Sequence, residues 1–456
     1  MLSETDYRIP VEGHQQKPLV KGWLWLGVVS LLGSGLFSIL LVLARTPHVN
    51  ELIPWVDFFH TALVVHVDLS VLVWFVAFAG LIWTLNSERK LIKLGWVALG
   101  ACSLGTLIIS LSPFLGAGNP LMSNYVPVLQ HPLFLGGLVI FAVGGLLLVF
   151  RSMVAIPFAG QYISGLSAQR FGVNTMTISA LFALVAFAWT WFLLPDYLEG
   201  RVYFELLFWG GGHILQFTWT ILLLVAWLWL ASESNVILPL TPRVIIFLYG
   251  FGLFAIFLMP LIYIAYEVTS VDHSKAFTWL MIYGGGLASL PLGLAVVYGL
   301  LVSGKCSEDQ KPFRSSLASS LILFGAGGVI GFLITGANVT IPAHYHGSIV
   351  GVTLGLMGLT YVMLPKLGYS PARLKWATIQ PWLYGGGQML HVLGLVWSGG
   401  YGVQRKVAGS AQVLDGFEKQ LAMGIMGLGG LIAIIGGVVF VYIVLEAMIK
   451  KDKVQL

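Results

Sequence analysis

Two histidines separated by one residue, His344 and His346, open an apolar run, and of all residues in the chain their type and spacing are best suited to binding metal-containing cofactors. On an α-helix, positions i and i+2 point about 200° apart, so the two imidazoles face opposite sides of one segment. Side chains on opposite faces cannot share one metal ion, but each can ligate a cofactor of its own. Taken alone, the pair could equally cap a membrane helix, so the rest of the chain must decide between these interpretations.

Three further metal-capable side chains lie in apolar surroundings. His66, His213 and Glu267 fall near the same end of their predicted membrane helices as His344 and His346. Ionisable residues within a membrane are costly and commonly mark functional sites. Imidazole is a natural axial ligand for haem iron and a common ligand for copper or non-haem iron. Five such side chains from four helices predict a cofactor site in the outer third of the membrane, although Glu267 could simply end its helix in the polar interface.

The composition places these residues in a polytopic membrane protein. Of 456 residues, 57% are hydrophobic and 9% are charged, and the mean hydropathy is +0.89. Soluble domains are far more polar. The two cysteines, Cys102 and Cys306, are too few for a disulfide framework or a cysteine-ligated metal. The net charge of +5 is spread over short loops, so nucleic acid is not an expected partner.

Apolar runs of about 20 residues, the length that crosses a bilayer, predict an all-α fold with twelve transmembrane helices. We place them at 22–45, 62–85, 93–114, 129–151, 173–195, 205–231, 242–268, 277–303, 313–335, 343–366, 380–400 and 419–449. Eighteen of the 24 Lys and Arg residues fall on the side that holds both termini, and the positive-inside rule makes that side cytoplasmic. The sequence thus predicts cytoplasmic tails at 1–21 and 450–456. Between them it predicts a single membrane domain, 22–449, in the inner (cytoplasmic) membrane.

The histidine arrangement resembles catalytic subunit I of the haem–copper oxidase superfamily over essentially the whole chain. Residues 343–347 read Ala-His-Tyr-His-Gly and resemble the family's His-x-His motif in predicted helix 10. The resemblance implies that His344 holds a high-spin haem, and that His346 with His66 holds a low-spin haem. It also implies that His213 binds a second metal, which is copper in the oxidases and non-haem iron in the nitric oxide reductases.

Two further segments carry the same resemblance. Residues 394–397 followed by 403–406 resemble the family segment in which a basic pair holds the haem propionates. The resemblance implies this role for Arg405 and Lys406, although the family usually has two arginines there. The Thr-Trp pattern at 278–283 in predicted helix 8 resembles the B-type oxidases.

Two departures from the family pattern concern the second metal. Where the family has adjacent histidines at the end of helix 7, this chain has Tyr266 and Glu267, and it contains no His-His pair. The tyrosine that most oxygen reductases carry four residues after the helix-6 histidine is replaced by Phe217. Tyr263 or Tyr266 could substitute, as a helix-7 tyrosine does in another class of oxygen reductases. A carboxylate from Glu267 beside His213 would favour iron over copper.

Three functions remain open from the sequence. The favoured one is a respiratory terminal oxidoreductase that reduces a diatomic gas, NO to N2O, with two haems and with non-haem iron in preference to copper. The second is an O2-reducing cytochrome c oxidase with unusual ligands, and the third is a non-catalytic haem electron-transfer or sensor subunit. The residues that we predict to be catalytic are His213, Glu267 and Tyr266. Electrons are expected from a small donor subunit, a soluble cytochrome c or cupredoxin, or quinol.

Overall fold

The computed structural model describes residues 5–43, 57–116, 118–157, 162–336, 338–405 and 416–450. Regular structure in these ranges is almost entirely helical. One antiparallel hairpin is present, formed by β1 (Asn119–Leu121) and β2 (Val128–Gln130). The predicted all-α class is therefore confirmed, with a small hairpin that the hydropathy pattern does not predict.

Eleven helical segments are long and apolar enough to cross a membrane. They are Lys17–Leu41, Phe58–Asn86, Ile92–Leu115, Pro132–Val154, Gly165–Leu193, Gly200–Glu233, Pro242–Ala265, Val271–Val302, Glu308–Gly331, Thr340–Lys366 and Phe417–Ile449. A further helix of 27 residues, Leu374–Gly400, stands at the place of the eleventh predicted helix. We number these twelve segments spans 1 to 12 in chain order.

Spans 5 and 8 begin earlier than their apolar runs because a serine caps each helix. Ser164 Oγ accepts a hydrogen bond from the Ser167 backbone N–H, and Ser167 Oγ accepts one from the Ser164 N–H. Ser270 Oγ accepts from the backbone N–H of His273 in the same way. Such caps satisfy N–H groups that a helix start leaves unpaired. The early start of span 8 places His273 inside the helix, whereas hydropathy alone assigns it to a loop.

Helical irregularities interrupt two of the spans that carry candidate site residues. In span 2 the α-helix Phe58–Val67 gives way to a π-helical turn, Asp68–Val73, directly after His66 and its neighbour. Such turns are rare and are frequent at functional sites. In span 7 a 3-10 turn, Ala255–Leu258, precedes Pro260, whose ring nitrogen has no N–H for the α-helical ladder.

The described helices pack into two compact units. Of the described residues, the first comprises those up to Leu228 together with Leu238–Ala295, and the second comprises Trp229–Ile237 and those from Val296 onward. The first unit contains a hydrophobic core formed by spans 5 to 8. The second contains a smaller core to which spans 9 to 12 contribute. The candidate residues His66 and His213 belong to the first unit.

Glycines make the closest helix contacts in the second unit. A methyl group on Gly347 of span 10 would overlap the backbone of Gly327 in span 9. Gly387 of span 11 meets the backbone of Gly429 in span 12 in the same way. Small residues allow such close approach between membrane helices.

Candidate functional site

The four histidines that the sequence singles out share one arrangement, in which Nδ1 lies beside a backbone carbonyl oxygen. The pairs are His66 with Ser34 at 3.0 Å, His213 with Trp209 at 2.8 Å, His344 with Gly327 at 2.7 Å and His346 with Pro342 at 2.8 Å. A carbonyl oxygen only accepts hydrogen bonds, so Nδ1 carries the hydrogen in each ring and Nε2 carries the lone pair. A neutral imidazole held through Nδ1–H is the form in which histidine ligates a metal through Nε2.

His66 is fixed by a serine on the neighbouring span 1. The Ser34 hydroxyl lies 3.0 Å from His66 Nδ1 and donates to the His66 carbonyl oxygen at 3.2 Å. Ser70 Oγ donates to the same carbonyl at 2.7 Å. His60, six residues earlier, instead has Nδ1 2.6 Å from the Asp57 carboxylate at the start of the span. These contacts favour His66 over His60 as the ligand on span 2.

In the second unit, His344 and His346 contact different neighbouring spans. The His344 ring bonds to Gly327 and occupies the space that a side chain on Gly331 would need, both on span 9. The His346 ring packs against His391 on span 11, with ring centroids 4.9 Å apart. Both histidines are half-buried. The two imidazoles therefore leave span 10 in different directions, as their spacing requires.

Arg405 lies at the end of span 10 that carries the two histidines. The Val339 N–H donates to the Val403 carbonyl oxygen at 3.1 Å, which joins the two segments. The half-buried Arg405 interacts electrostatically with the Tyr345 hydroxyl, between the two histidines. The propionate-binding role of Arg405 stays a prediction. Lys406, the second residue of the predicted pair, lies outside the described residues.

Aromatic rings surround His213, which is 5% exposed. Its ring centroid lies 4.8 Å from that of Trp209, 5.1 Å from that of Tyr125 and 6.0 Å from that of Phe277. Phe277 also packs against His273, with centroids 5.1 Å apart. His273 is 1% exposed, and its Nε2 has no hydrogen-bond partner in the described part of the chain. The cluster therefore holds a second buried imidazole that hydropathy alone does not identify.

The residues at the end of span 7 fall into two groups. Tyr263 is buried, and its hydroxyl is hydrogen-bonded to Thr190 Oγ1 at 2.7 Å and to the Ala186 carbonyl at 2.9 Å. Tyr266 and Glu267 are exposed in the turn that leads to span 8. The partners of the Tyr263 hydroxyl thus lie on span 5, and the Glu267 carboxylate does not have the burial typical of a ligand in a closed metal site.

A complete second-metal site is not assembled in the described ranges. No three His, Cys, Asp or Glu side chains among those residues lie close enough together to hold an ion. His213 offers one imidazole nitrogen, whereas a closed protein site needs about three or four ligands. The donor set therefore does not fit a fully protein-ligated second metal, and the roles of Glu267 and Tyr266 stay predictions.

Tyr125, which the sequence does not single out, contacts His213 directly. Its hydroxyl oxygen lies 2.9 Å from His213 Nδ1, and its ring fills the space where a Gly212 side chain would stand. Tyr125 lies between β1 and β2, in the connection from span 3 to span 4. Burial, followed by the nearby Glu205 carboxylate, raises the pKa of Tyr125, so its hydroxyl stays protonated. No local sequence pattern indicates this contact, because a turn residue reaches a helix 88 positions away.

Comparison with known proteins identifies the family. The family described as cytochrome c and quinol oxidase polypeptide I matches residues 18–439. The chain therefore belongs to the subunit I family of the haem–copper oxidases. It is a multi-pass membrane protein with the fold of that family.

Relatives span most of the chain. An uncharacterised protein of Rickettsia prowazekii is 30% identical over 93% of this chain and 95% of its own length. An uncharacterised protein of Aquifex aeolicus is 31% identical over 76% of this chain and 85% of its own. Cytochrome c oxidase subunit 1 of Thermus thermophilus is 23% identical over 97% of this chain and 86% of its own. A solved structure of a haem–copper terminal oxidase dimer matches with a TM-score of 0.72 and 17% identity, covering 96% of this chain and 85% of that one, which shows the shared fold.

The histidines fit the haems that this family typically binds. His66, His344 and His346 each have Nδ1 held by a carbonyl, and each is only half-buried although it lies in a membrane span. A half-buried imidazole with its lone pair on Nε2 is suited to coordinate haem iron. The residues present thus fit haem, whereas they do not complete a second-metal site.

Proposed function

We propose that this chain is the catalytic subunit of a respiratory terminal reductase, in which His66 and His346 would hold a low-spin haem and His344 would hold a high-spin haem. The observation that carries the proposal is the shared hydrogen bond from Nδ1 to a backbone carbonyl. It supports Nε2 ligation at all three positions. Bound haem would supply electron transfer at one position and gas binding at the other.

We propose NO, reduced to N2O, as the favoured substrate. Joining two NO molecules takes two electrons and two protons and yields N2O and water, whereas reduction of O2 to water takes four of each. Phe217 is 3% exposed and, by the resemblance, stands where most oxygen reductases carry a tyrosine. The Tyr263 hydroxyl is bonded to span 5, and Tyr266 is exposed. These positions support a reaction that does not need an electron from a helix-6 or helix-7 tyrosine.

O2 reduction is the second candidate, and one observation favours it. The Tyr125 hydroxyl lies 2.9 Å from His213 Nδ1, so a tyrosine from the hairpin stands next to the helix-6 histidine. A third candidate, a non-catalytic haem electron-transfer or sensor subunit, is favoured by the incomplete set of metal ligands in the described residues. The three candidates differ in gas consumption, which can be measured directly.

Gas consumption by the purified protein with an artificial electron donor tests the proposal. We expect NO consumption with N2O as product, slower or absent O2 consumption, and loss of NO turnover in His213→Ala. Fast, complete reduction of O2 to water would support the second candidate. Consumption of neither gas by a preparation with both haems would support the third.

The second metal is tested separately through Glu267. If its carboxylate ligates iron, Glu267→Ala should lose non-haem iron and NO turnover, whereas Glu267→Gln should retain more metal because an amide oxygen can still coordinate. In that case, metal analysis of the wild-type protein should give two haems and one further iron, whereas two haems and no further metal would agree with the incomplete ligand set in the described residues. Full activity and unchanged metal content in Glu267→Ala would agree with the exposed position of this side chain. That result would exclude Glu267 as a metal ligand.

The expected electron donor is a small partner subunit, a soluble cytochrome c or cupredoxin, or quinol. In the orientation that we propose, the haem-binding residues lie near the outer side of the inner membrane, and both termini face the cytoplasm. The asymmetric distribution of Lys and Arg supports this orientation. A reporter fused after Leu456 should be accessible only from the cytoplasm, and periplasmic labelling there would reverse the topology.

A further inference from the structure

The tip of the hairpin between spans 3 and 4 is anchored to span 6. The Asn124 backbone N–H donates to Glu205 Oε2 at 3.1 Å, and the Asn124 side-chain amide donates to Glu205 Oε1. Within the tip, Ser123 Oγ donates to the Val126 carbonyl oxygen. These contacts bring the next residue, Tyr125, onto the part of span 6 that carries His213.

Tyr125 occupies a notch that glycine creates in span 6. A methyl group on Gly212 would overlap the Tyr125 ring, so the ring lies directly against the helix backbone. Trp209 packs edge to face on the same ring, with centroids 6.1 Å apart. Gln216 Nε2 lies 3.4 Å from the Tyr125 hydroxyl oxygen. Trp209, one helical turn before His213, and Gln216, one turn after it, therefore both contact this tyrosine.

The hydrogen-bond geometry decides the tautomer of His213. Its Nδ1 lies 2.8 Å from the Trp209 carbonyl oxygen and 2.9 Å from the Tyr125 hydroxyl oxygen. A lone pair on Nδ1 would repel the carbonyl, so Nδ1 carries the hydrogen and donates it to both oxygens. The lone pair is then on Nε2, which takes part in neither of these two hydrogen bonds.

We propose that Tyr125 is a positioning residue for His213. Through its hydrogen bond to Nδ1, the hairpin fixes the orientation and the tautomer of this imidazole. The inference rests on the proposed role of His213 in gas reduction. The Trp209 carbonyl offers one acceptor, on the same helix as His213, so it orients the ring through a single hydrogen bond. The Tyr125 hydroxyl adds a second acceptor from a separate element, so ring rotation would break two hydrogen bonds.

The proposal explains the residue types at both contacting positions. Position 212 requires glycine, because any side chain there would overlap the Tyr125 ring and displace the hairpin tip. Phenylalanine at position 125 would fill the same notch but would remove the acceptor from Nδ1. The two substitutions therefore separate the packing of the hairpin from the hydroxyl contact.

The experiment compares Tyr125→Phe and Gly212→Ala with wild type in the full-length, haem-loaded protein. Tyr197→Phe is the matched control, because Tyr197 is 79% exposed. Three quantities are measured: NO turnover, the infrared stretching band of CO bound to the reduced protein, and amide hydrogen exchange of residues 118–130. For histidines that act at functional sites, loss of the hydrogen-bond partner that orients the ring typically costs roughly 10- to 100-fold in activity.

We expect Tyr125→Phe to keep its haem spectrum and hairpin protection, to lose about tenfold or more in turnover, and to show a broadened or split CO band. Gly212→Ala should show the same band change together with faster exchange in the hairpin. Wild-type turnover and a single unchanged CO band in Tyr125→Phe, beside an inactive His213→Ala, would overturn the positioning role alone. Wild-type behaviour of His213→Ala would overturn both the proposed role of His213 and this inference.

Discussion

The carbonyl oxygen of Ser34 lies 3.0 Å from Nδ1 of His66, and the Ser34 hydroxyl donates a hydrogen bond back to the carbonyl of His66 at 3.2 Å. Two spans are thus joined at the residue that the sequence marks as a haem ligand. Similar bonds to carbonyl oxygens hold His213, His344 and His346. A backbone acceptor orients an imidazole firmly, because a backbone carbonyl inside a helical bundle has little freedom to move.

The first prediction concerns His66. His66→Ala should lose the six-coordinate low-spin signal from the optical spectrum of the purified protein, because one axial nitrogen is removed. His60→Ala is the matched control, since His60 bonds to Asp57 at the start of the same span. The control should keep the signal. An unchanged low-spin band in His66→Ala would contradict the assignment.

The second prediction concerns His344. His344→Ala should remove the high-spin haem and with it the binding of CO and NO to the reduced protein, while the low-spin band is retained. His346→Ala should give the opposite pattern, with loss of the low-spin band. The two variants differ by two positions on one helix, so a general packing defect would affect both bands alike. Equal loss of both bands in both variants would argue against separate haems.

The third prediction concerns the contact between spans 9 and 10. Gly347→Ala should lower stability by about 1–3 kcal/mol, because the added methyl group would overlap the Gly327 backbone. Gly328→Ala is the control, since a methyl group there meets open space. Thermal unfolding in one detergent measures both. A lower melting temperature in Gly328→Ala than in Gly347→Ala would contradict the proposed packing.

The fourth prediction concerns pH and His14, which precedes the first span. Burial lowers the pKa of His14 below its ordinary value of 6.5; a hydrogen bond to the Leu85 backbone opposes this shift, while the charges of Arg151 and Lys17 add to it. Because the folded pKa is lowered, the contribution of His14 to stability is complete above the unfolded pKa. It is lost as the pH falls below about 6.5 toward the folded value.

His14→Gln should therefore flatten the acid side of the stability profile. Glutamine keeps an acceptor for the Gln16 N–H, which donates to His14 Nδ1 at 3.2 Å, but it does not titrate. Thermal unfolding followed from neutral pH down to about 5 gives the profile. An identical pH dependence in wild type and His14→Gln would assign the acid sensitivity to other groups.

The hydropathy pattern predicts most of the membrane architecture. The predicted helices correspond to the observed spans because an apolar run of bilayer length has few structural alternatives. The ends are less predictable, since polar caps such as Ser164 and Ser270 extend helices beyond their apolar runs. His273 illustrates the consequence. A serine three residues earlier is the local signal that places it in the helix.

Long-range contacts are the part of the site that the sequence does not predict. Tyr125 reaches His213 across 88 positions through a turn whose own sequence has no special feature. The exposure of Glu267 is likewise set by where the chain turns between spans 7 and 8, not by its residue type. Tertiary geometry decides both positions.

The most direct test of the central claim is a haem count with spin-state analysis of the purified protein, by pyridine haemochrome and low-temperature electron paramagnetic resonance. We predict two haems per chain, one low-spin with two histidine ligands and one high-spin, with the low-spin signal absent from His66→Ala and from His346→Ala. A preparation that holds one haem or none, or two haems whose signals are unchanged in both variants, would contradict the account.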